Sequence, residues 1–469
     1  MTFDPRSFPE AAHEALSNPS LKGVLSRLKT HFALGRAIAL SRYGDFEALR
    51  EVGRAIRDRA IANLDTLLET FETSVTARGG HVHWARDAAE AREVIVGILR
   101  EAGARTVTKG KSMVAEEIAL NPCLEASGMI PVETDLGEYI IQLRKEPPSH
   151  LIAPAFHLHK EQVAETFREK HTTLDPARTL DERQALVAEA RTMLRASFEA
   201  ADAGITGANF LSAAEGAAVI VTNEGNGDLT RLLPRTHIVV TGIEKVVADL
   251  DEVAVLLRLL TRSATGQEIS SYVSVMSGPR EREADEGPTA FHVVLVDNGR
   301  SKLIGTEAQE VLRCIRCAAC LNHCPIYGAV GGHAYGATYS GPIGAALNPG
   351  LLGVGIAHHH PNASTFCGRC AEICPVKIPL PKIMRHWRAK EYAEGLAPKA
   401  SVMGLGLWAF AAKRPALYRV GTRIAARMLK ALAGKRGTVR AFPLMQGWFA
   451  VRDFPAPKGR TFQELWRNR

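Results

Sequence analysis

The chain has 469 residues, 46% of them hydrophobic and 23% charged, which allows several buried cores and excludes a mainly disordered polypeptide. No uncharged apolar stretch reaches about 18 residues, so no transmembrane helix is expected, and the N-terminal MTFDPRSFPEAAHEAL lacks the apolar segment of a secretory signal. The net charge of +8 is uneven: residues 381–469 hold nineteen Lys/Arg against four Asp/Glu, so a basic tail follows a net-acidic body.

Residues 1–75 read as an N-terminal helical region. Apolar residues keep a 3.6-residue period from His13 to Glu72, broken near Pro19 and Gly44. Gly79-Gly80 then punctuates the chain.

Residues 76–303 alternate helical and strand signals. HVHW at 81–84, TVTKGKSM at 106–113, HLIAPAF at 150–156, GAAVIVTNEG at 216–225, THIVVTGI at 236–243 and HVVLVDNG at 292–299 are short and rich in β-branched residues. Amphipathic stretches such as DAAEAREVIVGILREAG at 87–103 and DLDEVAVLLRLLTRSA at 249–264 lie between them. Alternation of this kind predicts an α/β domain with a largely parallel sheet. Within it, Lys109, Lys111 and Ser112 follow a strand signal and precede a helix signal, which suits a carboxylate or phosphate, or a solvated charge pair. Thr222, Asn223, Glu224, Gly225, Asn226 and Gly227 follow the apolar VIV, where open sheets bind ligands and where turns also occur. Glu133 and Asp135 are an acid–base pair or a solvated loop; Cys123 reads as a small core residue. No GxGxxG joins a strand to a helix, and no HExxH or flavin motif is present.

Residues 304–390 carry seven of the eight cysteines. The first group is Cys314-x2-Cys317-x2-Cys320-x3-Cys324-Pro325 and the second Cys367-x2-Cys370-x3-Cys374-Pro375. The first has the spacing of a bacterial ferredoxin run, in which three thiolates wrap one face of a cubane and the fourth cysteine, before a proline, serves the other cluster. Two such runs cross-ligate. One cluster would take Cys314, Cys317, Cys320 and Cys374; the other, Cys324, Cys367 and Cys370. The competing reading is zinc, but zinc sites usually pair two CxxC hooks, and a third cysteine at the next gap departs from that. A disulfide framework does not suit the reducing, cytosolic compartment expected here. The 43-residue step from Cys324 to Cys367 suits cluster loops set between helices, as in helical ferredoxin domains.

The second cluster lacks one cysteine, and Ser364 stands at the expected position, three before Cys367. Three states fit: a [3Fe–4S] cluster; a [4Fe–4S] cluster with serine, histidine or water on its fourth iron; or an open iron acting as a Lewis acid on a hydroxy acid. Ser364 otherwise reads as a turn or cap residue, and the nearby His358, His359 and His360 as solvated histidines.

Residues 391–469 form a basic extension. In ALYRVGTRIAARMLKALAG, Arg419, Arg423, Arg427 and Lys430 make one helical stripe and Leu417, Val420, Ile424 and Met428 another. Such a helix suits the inner face of a membrane, a partner groove or ordinary packing. No nucleic-acid-binding motif is present, and no nucleic-acid partner is expected.

At these residues the chain resembles the lactate utilization protein B family. The similar segments are KGKSMVAEEIALN, ETDLGEYIIQL, GITGANF, VTNEGNGDLTRLLP, GIEKVV, LLRLLTRSATGQ and HVVLVDNGRS, followed by both cysteine groups, in one continuous order. The resemblance implies an α/β lactate-utilization domain, similar in fold to ribose-5-phosphate isomerase and CoA-transferase-like proteins, followed by an all-α helical ferredoxin domain. It implies two [4Fe–4S] clusters on the seven cysteines and a missing eighth ligand as a family trait. It also implies an electron-transfer subunit of a system oxidising L-lactate to pyruvate. The partners would be a cysteine-rich heterodisulfide-reductase-like subunit and a smaller lactate-utilization-domain subunit. The alternatives are the same role with another donor, such as glycolate or glycerol 3-phosphate, and a cluster-containing scaffold or sensor.

Overall fold

A computed structural model of the chain describes residues 4–442, 449 and 452–467. The chain divides into two units, Met1–Glu391 and Tyr392–Arg469.

The first unit is built on a six-stranded, wholly parallel sheet. Its strands are β1 (His81–Ala85), β2 (Thr106–Gly110), β3 (Ile130–Glu133), β4 (Ala203–Thr206), β7 (Thr236–Gly242) and β10 (Ala290–Val296), in the spatial order β1-β10-β7-β4-β2-β3. The central β7 is buried at all seven residues. That is why its sequence is a β-branched run without polar alternation. The period of two still sorts the strands' two faces. Ile238, Val240, Val294 and Val296 pack with Ile95 and Leu99 of the helix Ala88–Glu101. Val239, Val293 and Leu295 pack with Phe71 and Val75 of the helix Leu64–Ala77.

A second sheet of four strands holds β5 (Phe210–Ser212), β6 (Ala217–Thr222), β8 (Val246–Val247) and β9 (Tyr272–Met276), in the order β8-β5-β6-β9, with antiparallel pairs on both sides of β6. GAAVIVTNEG therefore supplies a strand of this smaller sheet. The strand expected at HLIAPAF is absent: residues 150–156 form bends and turns. Pro154 cannot donate to a ladder, and its carbonyl accepts from the backbone N–H of Ser149 at 3.0 Å, which closes a loop. β3 and β4 have only four residues each, too few to show a period of two, and of the pair only β4 is buried throughout.

Between residues 304 and 390 the described chain forms only helices, 3₁₀ turns and loops. These share one core with the N-terminal helices. Phe8, Leu28, Phe32 and Ile56 cluster with Ala318, Leu321, Tyr327, Ile343 and Trp387. The helix Phe46–Ala62 also packs on the helix Leu250–Ala264. The N-terminal helices thus touch both the α/β part and the cysteine part of the first unit.

The second unit contains the helices Lys399–Ala412 and Pro415–Ala433, a two-residue antiparallel pair, Thr438–Val439 with Phe454–Pro455, and the helix Phe462–Arg467. Among the described residues, no helix is long and apolar enough to cross a membrane.

Candidate metal centre

Two cysteine loops, fifty residues apart in sequence, repeat one backbone path. Arg316 and Ala318 take φ of 58° and 59° on either side of Cys317; Phe366 and Gly368 take 54° and 82° on either side of Cys367. A left-handed residue turns the chain back on itself, so cysteines three apart face one hollow. For a residue with a Cβ this costs about 1–2 kcal/mol, and strain of this kind concentrates at functional sites. Each loop then enters a four-residue helix, Ala319–Asn322 or Arg369–Glu372, which carries the next cysteine.

The side chains converge in two cavities. Cys314, Cys317, Cys320 and Cys374 line one, with about 350 Å³ of non-atom space, together with Leu151, Ile343 and Arg316. Cys324, Cys367 and Cys370 line the other, of about 450 Å³, together with Tyr335, His360 and Ser364. Each run of cysteines sends its last member to the other run's cavity. Cys317 and Cys374 are buried, whereas Cys367 is exposed, so the second cavity opens to the surface.

The donor set fits iron–sulfur clusters. The seven sulfurs are free thiols. Among the described residues no three His, Cys, Asp or Glu side chains gather closely enough to hold a single metal ion, and the seven thiols line the two cavities. Backbone N–H groups already point at sulfur: Arg316 donates to Cys314 Sγ at 3.4 Å, Tyr327 to Cys324 Sγ at 3.5 Å and Ile378 to Cys374 Sγ at 3.4 Å. Such donors stabilise negative sulfur and raise cluster potentials. Burial pushes the Cys370 thiol up to about 12 and Cys374 up to about 11. Thiolates therefore persist in these hollows only beside positive charge.

Arginines from the N-terminal helices hold the loops. Arg50 donates to the carbonyl of Cys374 at 2.8 and 3.1 Å and to that of Glu372 at 2.7 Å. Arg36 donates to the carbonyl of Ile373 at 3.0 Å. Fully buried Arg57 donates to the carbonyls of Leu312 at 3.0 Å, Val246 at 3.1 Å and Glu244. Arg36 and Arg50 lie more than 300 positions from their partners and Arg57 lies 187 to 255 from its own, and nothing in the sequence links residues so far apart.

A buried ionic network joins the cysteine region to the carboxyl edge of the parallel sheet. Glu244, just after β7, pairs with Arg300 at 2.7 Å and with Arg316 at 3.2 Å. Arg300 also pairs with Glu117 at 2.7 Å, and Tyr339 donates to Glu117 at 2.6 Å. Burial alone would raise the Glu244 carboxyl, but Arg300, Arg316 and Lys245 outweigh it and hold it at about 2. The Arg316 guanidinium lies 4.4 Å over the Tyr339 ring and lines the first cavity. The sequence carried no signal for this network beyond the charges themselves.

The other candidates gather around the carboxyl ends of β2 and β3, in a cluster whose lysines are paired but in which the buried Glu133 Oε2 has no hydrogen-bond partner among the described residues. Lys109 is buried and pairs with Glu116 and Glu133 at 2.7 Å each; Lys111 pairs with Asp135 at 2.7 Å. The anion site read from the two lysines is thereby corrected, because both cations already hold carboxylates. Ser112 caps Ala115 N–H at 3.1 Å and donates to the carbonyl of Val240 at 3.2 Å. Asn226 and Thr134 lie 3.5 Å apart, so the loop after β6 meets the loop after β3. Thr222 hydrogen-bonds the carbonyl of Glu224 at 3.0 Å, which is turn geometry. Cys123 packs against the sheet core.

The histidines nearest the second cavity are engaged or face elsewhere. His360 contacts Asn348 Nδ2 through Nδ1 at 3.0 Å and the Tyr335 carbonyl through Nε2 at 2.7 Å. His358 and His359 lean on each other, ring centroids 4.0 Å apart, and neither lines the cavity.

Family models match three consecutive stretches: a LUD domain at residues 68–296, a 4Fe-4S dicluster domain at 310–378, and the C-terminal part of lactate utilisation protein B at 382–469. Lactate utilization protein B of Bacillus pumilus is 42% identical over 471 residues, covering 100% of this chain and 98% of that one. The protein of the same name from Geobacillus thermodenitrificans is 42% identical with the same coverage, and that from Oceanobacillus iheyensis is 42% identical over 99% and 96%. A solved DUF162 family protein from Deinococcus radiodurans is 14% identical and covers 50% of this chain and 98% of that one. Its TM-score of 0.27 is too low to carry an argument.

Proposed function

The chain belongs to the lactate utilization protein B family along its whole length, and from that premise we propose that it is the iron–sulfur electron-transfer subunit of a system oxidising L-lactate to pyruvate. The observation that carries this reading is the exchange between the cavities. Four cysteines meet in one and three in the other, each set drawn from both runs. In this reading Cys314, Cys317, Cys320 and Cys374 hold the first [4Fe–4S] cluster, and Cys324, Cys367 and Cys370 the second, in an all-α helical ferredoxin domain at 304–390. The preceding domain at 76–303 takes the fold of ribose-5-phosphate isomerase and CoA-transferase-like proteins.

When bound, the clusters would each take one electron at a time, so that two of them pass on singly the pair a hydroxy acid releases. The chain's own residues set the conditions. Apolar Leu151, Ile343 and Ile378 keep water from the first cavity. Amides of Arg316, Tyr327 and Ile378 support charge on sulfur. Exposed Cys367 puts the second cavity at the surface, where an electron partner can approach. Because no flavin motif is present, lactate oxidation belongs to a partner in this reading. The partners are a cysteine-rich heterodisulfide-reductase-like subunit and a smaller lactate-utilization-domain subunit. The basic tail adds contact with the inner face of a membrane.

The test is reduction of the chain by donors, one at a time, in the assembled complex under anaerobic conditions. L-Lactate should bleach the cluster absorption and produce reduced-cluster EPR signals. Bleaching by glycolate and not by L-lactate would move the chain to another donor. Bleaching by none of L-lactate, glycolate and glycerol 3-phosphate, with both partners present, would leave a scaffold or sensor.

A further inference from the structure

Building on the two-cluster reading, we propose that the hydroxyl of Ser364 is the eighth ligand, binding the fourth iron of the second cluster through oxygen. Three observations meet on this residue. Fifty residues separate Cys314 from Ser364, Cys317 from Cys367, Cys320 from Cys370 and Cys324 from Cys374, so Ser364 holds the place of the first cysteine in the repeat.

The backbone repeats with the same offset. The left-handed pairs Arg316/Ala318 and Phe366/Gly368, and the helices starting at Ala319 and Arg369, all correspond. The atom equivalent to Cys314 Sγ is therefore Ser364 Oγ, and the local hydrogen bond is the same. Arg316 N–H donates to Cys314 Sγ at 3.4 Å; Phe366 N–H donates to Ser364 Oγ at 3.2 Å.

Ser364 also lines the cavity with Cys324, Cys367 and Cys370, and its position is fixed. Arg388 donates to its carbonyl at 2.9 Å and lies 4.3 Å over the Phe366 ring. His360, the one histidine in the cavity wall among the described residues, has both ring nitrogens engaged with Asn348 and Tyr335.

On binding, the Oγ–H bond breaks, its proton leaves to solvent, and an Fe–O bond forms; no electron is transferred. A hard alkoxide favours ferric iron over ferrous. The second cluster is therefore harder to reduce than its all-cysteine counterpart, and its fourth iron is the easier one to lose.

The test compares the full-length chain with Ser364→Ala and Ser364→Cys, each reconstituted anaerobically. Iron and sulfide per chain, EPR before and after dithionite, and the midpoint potential of each cluster are read. Wild type should hold about eight irons. Ser364→Ala should lose one of them and show an oxidised [3Fe–4S] signal. Ser364→Cys should keep all of them and raise the potential of the second cluster alone. The first cluster's unchanged signal reports that each variant is folded. A Ser364→Ala chain matching wild type in iron count, EPR and potential overturns the proposal, as does a wild type holding a [3Fe–4S] cluster under full reconstitution. A wild type with zinc and no sulfide instead overturns the two-cluster reading beneath it.

Discussion

Cys374 lies ten residues from the beginning of its own run at Ser364, yet its side chain faces the cavity of the other run. Substitution separates this exchange from a simpler scheme in which each run serves one cluster. Cys374→Ala should remove the signal of the first cluster and spare the second. Cys324→Ala should do the reverse, although Cys324 follows Cys320 by only four positions. EPR of the two variants after reduction reads the result, and the opposite pattern would mean that each run keeps its own cysteines. At this scale the spacing anticipated which cysteines share a cavity, and in the proposed reading it does so because thiolates must sit at fixed separations around a rigid inorganic core. Spacing is then itself a geometric constraint. Lys109 shows the contrary case. Its position after a strand suggested an anion site, but its ammonium is buried between Glu116 and Glu133, which lie seven and twenty-four residues further on. A charge read alone does not reveal the counter-charge that the fold delivers.

The elements that hold the cysteine loops are the N-terminal helices, through Arg36, Arg50 and Arg57, and Arg50 is the one whose fork reaches the carbonyl of Cys374 itself. The helix Phe46–Ala62 places Arg50 against the carbonyls of Glu372 and Cys374. Arg50→Ala leaves both without their charged donor; the Glu372 carbonyl is exposed and can turn to water, whereas leaving the part-buried Cys374 carbonyl unsatisfied costs about 1–3 kcal/mol. The loop that carries Cys374 then opens more often. Iron of the first cluster should be lost to a chelator several-fold faster, while the second cluster decays at the wild-type rate. Arg50→Lys should fall between, since a single ammonium cannot span two carbonyls as a guanidinium does. Equal decay of the first cluster in all three proteins would show that the loop is held by its own packing. The helices themselves were legible from their period, as were the central strands β7 and β10 from their β-branched runs. What they pack against was not. A 3.6-residue stripe states that a face is buried and leaves its partner unspecified. HLIAPAF shows the limit for strands: an apolar run of strand length became a loop because Pro154 and its neighbours close on Ser149, whose carbonyl accepts from Tyr327 at 2.7 Å.

Across the whole molecule the largest asymmetry is electrostatic, and it was readable from composition, since charge adds without regard to fold. In the second unit the helix Pro415–Ala433 leaves Leu417, Val420, Ile424 and Met428 exposed beside Arg419, Arg423, Arg427 and Lys430. The helix Lys399–Ala412 exposes Met403, Leu407, Trp408 and Phe410. Apolar surface of this kind marks an interaction site, and in the proposed reading the adjoining positive charge favours an anionic cover. Arg423 already pairs with Glu464 at 3.0 Å; each of the other three basic residues close to an anionic lipid surface contributes about 1 kcal/mol, so together they contribute about 3 kcal/mol before any apolar insertion. The full-length chain should therefore co-sediment with vesicles containing phosphatidylserine and much less with neutral vesicles, and binding should weaken as salt rises. Reversing Arg419, Arg423 and Arg427 to Glu should abolish sedimentation and leave the cluster spectra unchanged. Replacing Leu417 and Ile424 by Ser should weaken it while keeping the salt dependence. Sedimentation that ignores lipid charge would point to apolar adhesion alone. No sedimentation at low salt would assign the stripe to a protein groove, where the same two features, charge and apolar area, would meet an acidic partner surface instead.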